Sequence, residues 1–353
     1  MKKLFLSAAF LAASLASQAQ QAPLWMRYPA ISPDGKTIVF SYKGDIYSVP
    51  ATGGEARQLT TNAAHDSYPI WSPDGKKIAF ASNREGSFDV YVMSAHGGAP
   101  TRITTNSERE IPVAFKDNDH VLFSANIMPT AESNLFASRE FSQVYEVSTQ
   151  GGRPKLYSVI PMEDISINAK GQVLYHDSKG YEDQWRKHHT SPITRDIWML
   201  DNGKYQKITA FKGEDRTPVW AADGESFYYL SEQAGSFNIY HRNIATGKDV
   251  QLTHEKKNPI RFLTSSADGL LCYGYDGEIY TVKEGAQPQK VNISITADND
   301  EPSLVRQVRS WGATEIALSP DAKEVAFVMH GDVYVTSTEY KTTKRITDTP
   351  QQE

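Results

Sequence analysis

SPDGKKIAFASN, residues 72–83, sets four turn-forming residues before an unbroken apolar run and closes on polar residues again. Pro fixes φ near −65° at the second turn position, Ser and Asp bond the local backbone, and Gly takes the left-handed exit. The run that follows is apolar on both faces, with Ile78 and Phe80 on one and Ala79 and Ala81 on the other. Such a strand must be covered from two sides. Near copies stand at 32–43 (SPDGKTIVFSYK) and 319–330 (SPDAKEVAFVMH). Weaker turn copies are Ala221-Ala222-Asp223-Gly224 and Ser266-Ala267-Asp268-Gly269.

Two further signals recur in order behind the turn. An acidic or amide residue, a β-branched residue and an aromatic form the first. They are Asp45-Ile46-Tyr47, Asp89-Val90-Tyr91, Gln143-Val144-Tyr145, Asp196-Ile197-Trp198, Asn238-Ile239-Tyr240, Glu278-Ile279-Tyr280 and Asp332-Val333-Tyr334, with aromatics 40 to 54 residues apart. The second is a short strand ending in Thr60, Thr104, Thr209, Thr253 or Thr347. Gly-Gly pairs at 53–54, 97–98 and 151–152 supply a hairpin between them. No long stretch has helical periodicity. Each repeat therefore reads as four antiparallel strands, and a sheet with two apolar faces is not stable alone. A repeat of 40–50 residues buries both faces by radial stacking, so the expected fold is all-β, a β-propeller. A two-sheet sandwich is the competing architecture and does not account for that period.

Blades fall at about 27–62, 68–106, 111–158, 164–211, 217–254 and 260–293, with one more repeat at 315–347. The intervening stretch lacks the pattern. Six blades plus one further blade is the preferred count, and one seven-bladed ring the alternative. The corresponding division is 1–19 signal peptide, 20–296 six-bladed propeller, 297–314 linker and 315–353 first blade of a second propeller, or seventh blade.

Lys2 and Lys3 precede an apolar run from Leu4 to Leu15, and Ser17-Gln18-Ala19 fits a cleavage site. A periplasmic or secreted location is expected, with no membrane span after cleavage. Without residues 1–19 the chain carries 35 basic and 42 acidic side chains, a balance that disfavours nucleic acid as a partner. Cys272 is the only cysteine, so no internal disulfide forms.

Ser-Pro-Asp-Gly, Asp-Ile/Val-Tyr, Gly-Gly and Arg-x-Leu/Ile-Thr in this order resemble the repeat shared by TolB and the tricorn proteases. The blade-four insertion GYEDQWRKHHTSPITRDIW (180–198) and the restart EIALSPDAKEVAFVMHGDVYVT (315–336) resemble the N-terminal propeller region of bacterial tricorn-like proteases. That resemblance implies a non-catalytic part that gates or binds peptides for a C-terminal serine-peptidase domain absent from this chain. Peptides or unfolded protein, and C-terminal domains of the same parent chain, are the implied partners, with a homo-oligomer possible. A TolB-like protein-binding platform is the alternative, and a carbohydrate-active propeller a third reading.

The residues themselves carry no G-x-S-x-G, H-E-x-x-H, paired cysteines or phosphate loop. No catalytic, cofactor or metal residue is assigned. The candidate peptide-contact loop is Arg186, His188, His189 and Arg195, where Arg would hold a carboxylate bidentately. The competing reading is a solvated loop whose charges pair with Glu182, Asp183 and Asp196. Arg84 and the GSF turns at 86–88 and 235–237 read as structural.

Overall fold

The computed structural model describes residues 24–126, 142–180, 191–296 and 308–347. The chain divides into two compact units at Thr296/Ala297. No helix among the described residues is long and apolar enough to cross a membrane.

The first unit holds six sheets, each built from consecutive antiparallel strands. Blade one is Arg27–Ile31, Thr37–Tyr42, Asp45–Pro50 and Gly54–Gln58. The first strand of every blade is the inner one. The other inner strands are Asp66–Trp71, Ile111–Phe115, Met162–Ile167, Asp215–Trp220 and Arg261–Ser265. They adjoin in cyclic order, and the inner strand of blade six packs on that of blade one.

The core is distributed. Six apolar clusters are present, one per blade junction. At junction one–two, Val39 and Ile46 meet Ile78 and Phe80. At junction six–one, Ile38 and Phe40 meet Cys272 and Ile279, joined by Val291 and Ile293. The segment Ile293–Ile295 then pairs in parallel with Gly54–Ala56 at the outer edge of blade one. Each fully buried Ile or Phe contributes roughly 1.5–3 kcal/mol, so the junctions dominate stability.

The repeated motifs have visible causes. In blade one Ser32 Oγ donates to Asp34 Oδ1 (2.6 Å) and accepts the Thr37 N–H (3.0 Å), while Asp34 Oδ1 accepts the Lys36 N–H (3.1 Å). The same bonds form around Ser72 and Ser319. The motif Tyr lies directly across from an aromatic on the second strand. Phe40–Tyr47, Phe80–Tyr91, Phe123–Tyr145 and Tyr273–Tyr280 stack with centroids 5.7 to 5.9 Å apart.

The terminal Thr is a buried cap. Thr60, Thr104, Thr209 and Thr253 Oγ1 accept the N–H of Ile46, Val90, Ile197 and Ile239 at 2.9 to 3.0 Å. Thr253 Oγ1 also donates to Asn238 Oδ1 (3.0 Å). Thr253→Val keeps the shape and strands the buried Ile239 N–H. It should cost about 1–3 kcal/mol, read as a lower urea midpoint at unchanged slope.

The second unit holds one sheet of the same design: Ile316–Leu318, Glu324–Met329, Asp332–Ser337 and Thr343–Arg345. Phe327 stacks on Tyr334 and Thr347 Oγ1 accepts the Val333 N–H, as in the blades. Its apolar side chains from Val325 to Met329 are only half-buried.

Candidate functional site

All six inner strands break register at one point, blade three at Pro112/Ala114 and the other five between Arg27/Ala30, Ser67/Ile70, Glu163/Ser166, Arg216/Val219 and Arg261/Thr264. In those five the extra residue is Tyr28, Tyr68, Asp164, Thr217 or Phe262, all with φ between 50° and 61°. A left-handed non-glycine residue is uncommon, and for a β-branched Thr it is a true outlier. A bulge of this kind bends the strand and re-aims the side chain. Because inner strands surround the ring axis, the re-aimed side chains gather there.

They form two arcs. From blades six, one and two, Phe262, Tyr28 and Tyr68 make an aromatic arc. Tyr28 lies 4.0 Å from Tyr68 and 4.8 Å from Phe262 between ring centroids. The Tyr28 hydroxyl donates to the Tyr68 hydroxyl at 3.0 Å. Burial first, then Tyr68, pushes the Tyr28 phenol well above its ordinary value, so it stays neutral. Arg109 Nη2 donates to the Tyr68 hydroxyl (3.1 Å).

Blades four and five supply a polar arc. Thr217 Oγ1 donates to Asp164 Oδ2 (2.6 Å), and the Thr217 N–H donates to Nδ1 of the buried His176 (3.2 Å). His176 Nε2 lies 3.0 Å from Glu163 Oε2. Burial alone would raise the Glu163 carboxyl. The His176 hydrogen bond and the Arg195 guanidinium outweigh it and hold the group at about 2. The polar arc therefore holds an ionised carboxylate, paired on one side with Arg195.

Arg195 is 7% exposed. Its Nε donates to Glu163 Oε2 and its Nη1 to Glu214 Oε1, both at 3.3 Å. It braces the polar arc from behind and its charge is already met by two carboxylates. Asp196 pairs with Lys179 and with Lys207. Arg186, His188 and His189 lie outside the described residues. Arg84 is structural, with Nη2 2.6 Å from the buried Asp66.

Sequence reasoning missed the bulge residues. A usable signal was Tyr28-Pro29, Tyr68-Pro69 and Thr217-Pro218, four residues ahead of each turn, since Pro within a strand marks an edge or a bulge. A cavity of about 370 Å³ opens beside the aromatic arc between blades one and two. Trp25, Tyr28, Tyr42, His65, Tyr68 and Phe88 wall it; Arg27, Lys43 and Arg109 add positive charge, and no carboxylate lines it.

The family model described as the tricorn protease N-terminal β-propeller domain matches residues 23–288. No curated protein matches in sequence. The crystal structure of the tricorn protease superposes with a TM-score of 0.67 at 19% identity, over 93% of this chain and 32% of that one. This chain thus spans about a third of that protein's length, and the likeness is one of fold. TolB from Acinetobacter baumannii gives a TM-score of 0.47 at 13% identity, over 88% of this chain and 76% of that one. A Mycobacterium tuberculosis puromycin-hydrolyzing peptidase gives 0.47 at 14%, over 71% and 42%.

Proposed function

The chain belongs to the tricorn protease N-terminal β-propeller family, and from that premise we propose that it is the non-catalytic, peptide-handling propeller of a secreted or periplasmic tricorn-like serine peptidase. It admits or holds extended peptides along the ring axis for a catalytic domain elsewhere in the parent protein. The observation that carries this reading is the pair of opposed arcs. Tyr28, Tyr68 and Phe262 offer ring faces to apolar side chains, and such contacts tolerate many residues. Asp164 and Glu163 offer acceptors to backbone N–H groups or a peptide ammonium, with Glu163 kept ionised by its partners. A surface with both features suits a backbone whose side chains vary.

The division into a propeller at 20–296, a linker at 297–314 and the first blade of a second propeller at 315–353 belongs to this proposal. Phe327 occupies the register of Phe40 and Phe80, which are fully buried by neighbouring blades. A further blade of the same repeat would cover it in the same way. The signal peptide lies outside the described residues, and export rests on its pattern of lysines, apolar run and small residues.

Binding is the direct test. Labelled extended peptides of mixed sequence should raise their fluorescence anisotropy with the purified chain and remain uncleaved. Tyr28→Ala with Tyr68→Ala should weaken binding by about tenfold or more, about 1.4 kcal/mol. Absence of binding by the folded protein would remove the reading, and selective capture of a folded protein by one face would favour the TolB-like platform instead.

A further inference from the structure

The aromatic cavity between blades one and two has a property the two arcs do not explain. Two of its cations, Lys43 and Arg109, stand apart from acids. Among the described residues neither Lys43 nor Arg109 has an ion-pair partner, whereas Arg84 and Arg102 on blade two hold Asp66 and Asp89 at 2.6 and 2.9 Å. Arg109 instead lies 5.7 Å from the centroid of Tyr68 and 5.6 Å from that of Phe88, and Lys43 lies 5.8 Å from Tyr42. Arg109 spends one N–H on the Tyr68 hydroxyl. A guanidinium has five, in a fork that fits a carboxylate. At about 370 Å³ the space is at the small end of ligand pockets. It suits one or two residues and not a folded partner.

We propose that this cavity is a specificity subsite for an aromatic residue next to a carboxylate within an extended peptide. The inference rests on the peptide-handling reading and names the sequence class that reading leaves open. The incoming ring packs among Tyr42, Tyr68 and Phe88, and the carboxylate takes the free face of Arg109 with Lys43 behind it. Partial enclosure strengthens that attraction over its value in water. A Lys or Arg beside the aromatic is repelled by the same two cations. The carboxylate has two sources, an Asp or Glu side chain or the chain terminus.

The test uses the full chain and anisotropy of N-acetylated, C-amidated hexapeptides with central pairs Glu-Phe, Lys-Phe and Glu-Ala. A fourth peptide ends in Phe with a free carboxylate. Glu-Phe should bind about tenfold or more tighter than Lys-Phe, the size expected of a charge-assisted pair, and also tighter than Glu-Ala. The gap over Lys-Phe should narrow at high salt. Arg109→Glu, at an exposed position, should reverse the order of Glu-Phe and Lys-Phe while keeping Phe preferred over Ala. A preference confined to the free-carboxylate peptide would assign the chain terminus as the source. Equal binding of Glu-Phe, Lys-Phe and the free-carboxylate peptide, or an order unmoved by Arg109→Glu, overturns the subsite and leaves the peptide reading standing. Failure of every peptide to bind overturns both.

Discussion

Phe80→Ala should destabilise the ring by about 3–5 kcal/mol, while Phe327→Ala should cost the second unit about 1 kcal/mol. The two residues have the same register. Phe80 pairs with Tyr91 and Phe327 with Tyr334, both as stacked rings. Their surroundings differ. Phe80 is 0% exposed, in a cluster where Val39 and Ile46 come from the neighbouring blade. Its removal leaves a void whose walls belong to two sheets. Each sheet is held by its own hydrogen-bond ladder, so neither closes in. Phe327 is half-buried, so its loss removes a stacking pair and modest area, with water filling the space. Urea unfolding of the ring, with hydrogen exchange of the Asp332–Ser337 amides as the reporter of the second unit, separates the two. Equal costs would mean that a blade is stabilised by its own sheet and not by its neighbours.

That contrast also bears on what could be read from the residues. The turn, the buried strand, the motif Tyr and the terminal Thr are local signals, because each acts within one repeat. Ser32 and Asp34 bond one another two residues apart, and Thr60 reaches Ile46 across one hairpin. Such signals fix the blade and its strand order. The axial side chains obey a different rule. Tyr28 meets Tyr68 only because blades one and two adjoin, and Phe262 only because blade six returns to blade one. Arg195 reads as a loop cation from its polar neighbours in sequence. Its partners Glu163 and Glu214 stand 32 and 19 residues away, one on the inner strand of blade four and the other just before that of blade five. Packing of blade five against blade four turns it into a buried brace. The candidate site was hidden for the same reason: its residues vary from blade to blade, while the repeat that carries them does not.

Variation of that kind also sets a pH response, and Glu110→Gln should change it. Glu110 enters blade three fully buried, facing Asp89 of blade two. Arg102 pairs with Asp89 at 2.9 Å, and among the described residues no cation pairs with Glu110. Burial, the largest effect, raises its carboxyl from the ordinary 4.5 to about 7 over opposing bonds from Thr104 and the Asn106 N–H, and the Asp89 hydrogen bond and charge add smaller pushes upward. The folded state therefore holds this proton more tightly than the unfolded chain does. The stability it contributes is fully present below about 4.5 and is lost as pH rises through about 7. The loss is on the order of 3 kcal/mol by pH 8. Glutamine keeps the shape, donates to Asp89 and does not ionise, so the variant should match the wild type near pH 5 and exceed it at pH 8. Asp215, raised to about 6 by burial, leaves a slope common to both proteins that cancels in their difference. Glu163, held at about 2, acts in the opposite sense and loses its contribution only as pH falls from about 4.5 toward 2, outside this window. Urea midpoints of the two proteins at pH 5 and pH 8 measure the effect, and a difference that does not move with pH would place the ionised Glu110 in a fully compensated site.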